Sequence, residues 1–97
     1  MSYEDDAPGR RLLILTLLNA DRQYSLNHEV LRKSIDRMGL YSVTDDVVKR
    51  DLAWLQDQDL VACEQVDHYV VARLTRSGGN YLDGQITIPG ITRPRPV

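Results

Sequence analysis

Thr44-Asp45-Asp46-Val47-Val48-Lys49-Arg50-Asp51-Leu52-Ala53-Trp54-Leu55, continued by Gln56-Asp57-Gln58-Asp59-Leu60-Val61, decides how the rest of the chain folds. Thr44 offers the side-chain oxygen of an N-cap. Asp45 and Asp46 then put negative charge in the first turn, where the helix dipole favours it. Val48, Leu52 and Leu55 recur at i, i+4 and i+7, which is one face of an amphipathic helix over 44–58. Val47 and Trp54 flank that face, while Asp46, Lys49, Arg50, Ala53 and Gln56 point away from it. Asp51 falls between the two groups. An unpaired buried carboxylate is costly, so an arginine from one of the two preceding helices is expected to pair with it.

The helical pattern breaks at Asp59, and Leu60–Gln65 and Tyr69–Leu74 alternate as two strands joined around Val66-Asp67-His68, a β-hairpin. Beyond it, Thr75 or Ser77 caps a short last helix that Gly84 ends, and the Gly78-Gly79 pair weakens it. From Gln85 onward the prolines exclude both helix and central strand. Ile86, Ile88 and Ile91 therefore belong to an extended arm that docks on its own domain or on a partner subunit, with Arg93 and Arg95 at its basic end.

In the other direction, Leu40–Val43 is a turn, and Gly39 closes a second helix as a C′ residue with Leu40 placed for the contact beyond such a cap. That helix is expected to be capped by Ser25 and to bury Leu26, Val30, Leu31, Ile35 and Met38. Ala20-Asp21-Arg22-Gln23-Tyr24 is a polar connector. The first helix, started near Pro8 with Asp5 or Asp6 as cap and running to about Asn19, carries Leu12, Leu13, Ile14, Leu15, Leu17 and Leu18, with Thr16 as the one polar break. A helix apolar all round must be covered all round. The arm or a second copy is expected to do this, through Leu12, Leu13, Leu17, Ile86 and Ile88.

Ninety-seven residues make one small domain with one core. A hydrophobic fraction of 42%, a charged fraction of 27% and a net charge of −2 describe an ordinary globular chain without a strongly basic balance. The single Cys63 excludes an intrachain disulfide and reads as a small hydrophobe on a strand. The apolar run from Leu12 to Leu18 is too short for a membrane span, and the acidic opening Met-Ser-Tyr-Glu-Asp-Asp is no signal peptide. A cytoplasmic location is expected. His28 and His68 lie on different elements, each expected to be partly exposed, and neither sits at ligand spacing with Cys63 or a carboxylate pair. Gly78-Gly79 lacks the pattern of a phosphate loop. No enzyme activity, metal or cofactor is expected, and no small-molecule effector is evident.

A helix with an apolar stripe, a one-residue break and Leu-Val opening a strand resembles the third helix and first wing strand of a winged helix-turn-helix domain. Leu74-Thr75-Arg76-Ser77-Gly78-Gly79-Asn80-Tyr81-Leu82-Asp83-Gly84 is similar to the ending that follows the wing in winged-helix regulators. The resemblance implies an α+β fold, mainly α with a small β-hairpin wing. A three-helix core and a short C-terminal helix would occupy residues 1–84, with an extended Pro-rich arm over 85–97. Over nearly the whole chain, TDDVVKRDLAWLQDQDLV, a wing, ARLTRSGGNYLDG and ITIPGITRPRP resemble the small winged-helix proteins of Mu-like prophages. The Pro-Gly-Ile-Thr-Arg-Pro tail is the most distinctive part.

That resemblance implies a transcriptional regulator or a phage accessory protein. The helix over 44–58 would lie in the major groove of duplex DNA with Lys49 and Arg50 outward. Tyr41, Ser42 and Thr44 would meet a phosphate at the helix mouth. Arg32, Lys33 and Arg37 would touch flanking phosphates, and a homodimer would present two such helices. The chain departs from that pattern in its acidic helix mouth and its acidic wing tip, with Glu64 and Asp67. The alternative is a winged-helix interaction module that binds a phage or host protein instead of DNA.

Overall fold

The computed structural model describes residues 3–95. In chain order these form α1 (Tyr3–Ala20), β1 (Ser25–Asn27), α2 (His28–Met38), α3 (Asp45–Asp57), β2 (Val61–Val66), β3 (Tyr69–Leu74) and α4 (Arg76–Leu82). The strands make one antiparallel sheet in the order β1-β3-β2. Among the described residues the result is an α+β fold of four helices around a three-stranded antiparallel sheet, a winged-helix-like arrangement.

The caps that define α3 and α4 follow from local chemistry. Thr44 Oγ1 accepts the Val47 N–H at 3.2 Å, and Thr75 Oγ1 accepts the Gly78 N–H at 3.0 Å. Gly39 ends α2 in the left-handed region (φ 73°), donating its N–H to the Asp36 carbonyl. Asp59, also left-handed, separates α3 from β2. Val48, Leu52 and Leu55 are fully buried with Ile14, Leu15, Leu18, Leu31, Ile35, Leu60, Ala72 and Tyr81, so all four helices and the sheet share one core. Gly78 is buried against the start of β2. A Cβ there would sit 2.3 Å from the Leu60 carbonyl oxygen, so only glycine lets α4 approach this closely.

Several expectations are corrected. Ser25 does not cap α2. Residues 25–27 instead pair with Val71–Arg73 as an edge strand, and Asn27 is the cap, its Oδ1 accepting the Val30 N–H at 2.9 Å. Three residues held by a partner more than forty positions away leave no periodic trace. Helix α1 starts at Tyr3, so Asp5 and Asp6 lie in its first turn and Pro8 within it. Pro8 removes a single bond near the helix start, where the ladder is least complete. Met1 and Ser2 lie outside the described residues.

Val30 and Met38 are exposed on α2, and Leu40 is 67% exposed instead of packing beyond the Gly39 cap. His28 is the reverse case. It is 2% exposed at the start of α2, and its Nδ1 accepts the Val70 N–H at 3.0 Å. Cys63 is half-buried on β2, its thiol facing the Leu52 carbonyl, and burial raises its pKa.

The arm packs on its own domain. Tyr81, fully buried, donates its hydroxyl to the Thr92 carbonyl at 2.9 Å and the Ile91 carbonyl at 3.2 Å. Thr92 N–H reaches the Pro8 carbonyl at 3.1 Å, and Arg11 donates to the Gly90 carbonyl at 2.8 Å. Ile91 enters the core and Ile88 packs against it, whereas Ile86 stays exposed. On α1, Ile14, Leu15 and Leu18 are buried completely, and Leu12, Leu13 and Leu17 are half-buried against the core.

Candidate functional site

Helix α3 sits between α1 and α2, and its buried side is anchored by charge as well as by apolar packing. Arg10 of α1 clasps Asp51 with two hydrogen bonds, from Nε to Oδ2 and from NH2 to Oδ1, and gives a third from NH1 to the Tyr3 carbonyl. Both side chains of the pair are almost wholly buried. Arg11 Nε lies 3.6 Å from Asp51 Oδ1, and the Arg11 guanidinium covers the Trp54 ring at 4.0 Å. Burial lowers the Arg11 pKa, and the nearby Asp51 charge opposes that shift. The partner expected for Asp51 is therefore an arginine pair from α1, which fixes α3 against α1.

A second ionic group fixes α3 against α2. Arg32 Nε donates to Asp45 Oδ1 at 2.6 Å, and its NH1 donates to Asp36 Oδ2 at 3.1 Å. Asp36 in turn accepts the Val43 N–H at 3.5 Å. The hydrogen bond to Asp45 is the main cause that raises the Arg32 pKa. Two residues of α2, one of α3 and one of the connecting turn thus share a single clamp. Arg32, expected to meet a phosphate, is engaged within the protein. Asp45, counted against an anion at the helix mouth, is paired there with Arg32, which it shares with Asp36.

The other sequence-derived positions separate clearly. Tyr41 is half-buried on the core and faces α1, where a Cβ on Gly9 would lie 2.3 Å from the Tyr41 hydroxyl. Ser42 and Thr44 are exposed, with Thr44 used as the cap. Lys33 and Arg37 are exposed on α2, Lys49 is half-buried and Arg50 is exposed on α3. Among the described residues, none of these four cations forms an ion pair. Asp46, Arg50, Ala53 and Asp57 are all exposed and, spaced at i, i+4, i+7 and i+11, form one outward stripe. Lys49 flanks the stripe. Gln56 is exposed too, yet it is tied to the sheet through its Oε1, which accepts the Cys63 N–H at 2.7 Å. Arg50 and Trp54 also border a groove of about 360 Å³ between α1 and α3.

The hairpin is short and held close. Only Asp67 and His68 separate its strands, with Asp67 in the left-handed region. Its tip rests on the start of α2: His28 accepts from Val70, His68 Nε2 lies 3.5 Å from Glu29 Oε2, and the Tyr69 ring contacts both histidines. Sequence reasoning missed this cluster because its members come from elements forty residues apart.

No protein-family model matches the chain. It is 36% identical over 87 residues to the uncharacterized protein gp26 of Escherichia phage Mu, an alignment that covers 90% of this chain and 88% of gp26. It is also 31% identical over 68 residues to an uncharacterized protein of Haemophilus influenzae strain Rd, covering 69% of this chain and 65% of that protein. The acidic outer stripe, the two ionic clamps and the docked arm thus belong to a chain of phage relationship. With the match running over nearly the full length of both partners, the chain belongs to the family of phage Mu gp26.

Proposed function

We propose that this chain is a phage or prophage winged-helix regulator that contacts duplex DNA through α3, with Lys49 and Arg50 as its main cationic contacts. The observation that supports this reading most is the division of charge around the helix mouth. Arg32 pairs with Asp45 and Asp36, one cation shared by two carboxylates, while Lys33, Arg37, Lys49 and Arg50 keep no carboxylate partner among the described residues. A helix placed over the major groove with free cations beside its reading face can neutralise phosphates while its outward stripe meets base edges. Tyr41 and Arg32 have structural roles in this reading. Ser42 is the remaining hydroxyl at the mouth.

One helix with so few cations gives a small electrostatic contribution, and two copies would double it. A homodimer through α1 is therefore part of the proposal, with half-buried Leu13 and Leu17, and exposed Ile86 of the arm, at the seam. Sedimentation equilibrium is expected to show a dimer. A monomer at every concentration would remove that part.

A second reading, a protein-binding module, is favoured by the wing. Its tip carries Asp67, with Glu64 exposed further back on β2, and is fastened to α2, which suits it poorly for reaching along a phosphate backbone. A gel shift with mixed-sequence duplex at low salt separates the two readings. The DNA reading expects a retarded band that salt weakens steeply, and absence of any band favours the protein-binding module.

A further inference from the structure

We infer that Asp46 and Arg50 act together as the selector on α3, Asp46 accepting the amino group of a cytosine and Arg50 donating to O6 and N7 of a guanine on a neighbouring pair. This rests on the reading of α3 as the DNA-contacting helix and adds the kind of duplex it takes. The two first-turn acids of α3 have different surroundings. Asp45 is held by Arg32, and together with the Thr44 cap it already serves the start of the helix. Asp46 is exposed and makes no such pair among the described residues. Arg50 stands four residues on, at a spacing that would allow an ion pair with Asp46, yet none forms. The side chains thus stand on one stripe, about 6 Å apart along the helix. That separation is just under two base-pair rises of about 3.4 Å, a gap that the long Arg50 side chain can close to reach a neighbouring pair.

Ala53 continues the stripe with only a methyl group, which lets the helix approach base edges closely and can meet a thymine methyl. A carboxylate facing DNA repels every phosphate. It is compensated only where a base presents an amino donor, and carboxylates take that role at cytosine. Such a residue weakens binding to arbitrary sequence more than binding to the right one. The acidic wing tip, held against α2, adds no compensating attraction elsewhere. The acidic character of this face then works as discrimination and does not oppose binding as such.

The test is selection from a randomised duplex pool with the full chain at low salt. Titration of the selected duplex and an unrelated one follows, with wild type, Asp46→Ala and Asp46→Asn. The expected core contains guanine and cytosine on adjacent pairs. Asp46→Ala should lose about tenfold or more of the discrimination, mainly by binding the unrelated duplex more tightly. Asp46→Asn should move the preference at one position from cytosine to adenine, a change that a merely structural role would not produce. Thr44 and Asp45 remain in both variants, and unchanged circular-dichroism melts confirm the fold. A selected core without guanine–cytosine preference, or equal weakening of both duplexes by Asp46→Ala, overturns the inference and leaves DNA binding standing. A wild-type chain that retains no duplex overturns both.

Discussion

At the scale of single residues, the buried carboxylate Asp51 carries the clearest consequence. Two guanidinium groups converge on it, and Arg10 is itself almost fully buried. Removing one partner of a buried pair strands the other, which costs about 3–5 kcal/mol. Asp51→Ala is expected to lower the unfolding free energy by about 3 kcal/mol or more in urea titration, and an unchanged midpoint would contradict the pairing. The need for a partner was legible in the sequence, because Asp51 interrupts an apolar face. His28 was not, since its burial depends on a hydrogen bond to a strand forty residues away.

Burial also sets the response to alkali. It raises the pKa of the Cys63 thiol and, as the larger of two opposed causes, that of Tyr81, where the Arg93 charge pulls the other way. A folded-state pKa raised above the unfolded one gives stability that is complete below the ordinary value and is lost as pH rises through the folded one. The stability of the chain is therefore expected to hold through neutrality and fall above pH 9.0 as unfolded thiols ionise, with Tyr81 adding its loss above 10.0. Denaturant midpoints of wild type and Cys63→Ala, compared from pH 8 to 10, check this. A wild type that loses no more than the variant would contradict it.

At the scale of elements, the helices with side-chain caps and an amphipathic period were readable from their own residues: Thr44 and Thr75 begin their helices, and Gly39 ends α2. Strand β1 was not readable, because its distant partner β3 creates it. The arm was visible as an extended segment, but not its place. Gly90 shows how closely it docks. Its φ is 95°, and a Cβ there would lie 2.7 Å from the Trp54 ring. Gly90→Ala is expected to cost about 1–3 kcal/mol through backbone strain and collision, and to shift the emission of Trp54, the only tryptophan in the chain. Unchanged fluorescence and stability would mean that the arm does not pack there. Of the candidate site, the outward placement of Arg50, with Lys49 half-buried beside it, was legible from helical phase. The diversion of Arg32 and Tyr41 into the protein was not, because it depends on which neighbours α2 and α1 present.

At the scale of the whole molecule, a chain of net charge −2 can bind a polyanion only if its charge is unevenly distributed. Internal pairing matches Asp51, Asp36 and Asp45 with Arg10, Arg11 and Arg32, and leaves Lys33, Arg37, Lys49 and Arg50 on α2 and α3 unpaired among the described residues, beside the exposed Asp46 and Asp57. Whether Lys49 and Arg50 meet phosphate and base is decided by the affinity for duplex DNA as a function of salt concentration. The logarithm of affinity is expected to fall linearly with the logarithm of salt for the wild type, and Lys49→Ala to shallow the slope by about one. A Lys49→Ala and Arg50→Ala double variant with the wild-type slope, or a wild type that binds no duplex even at low salt, would contradict it.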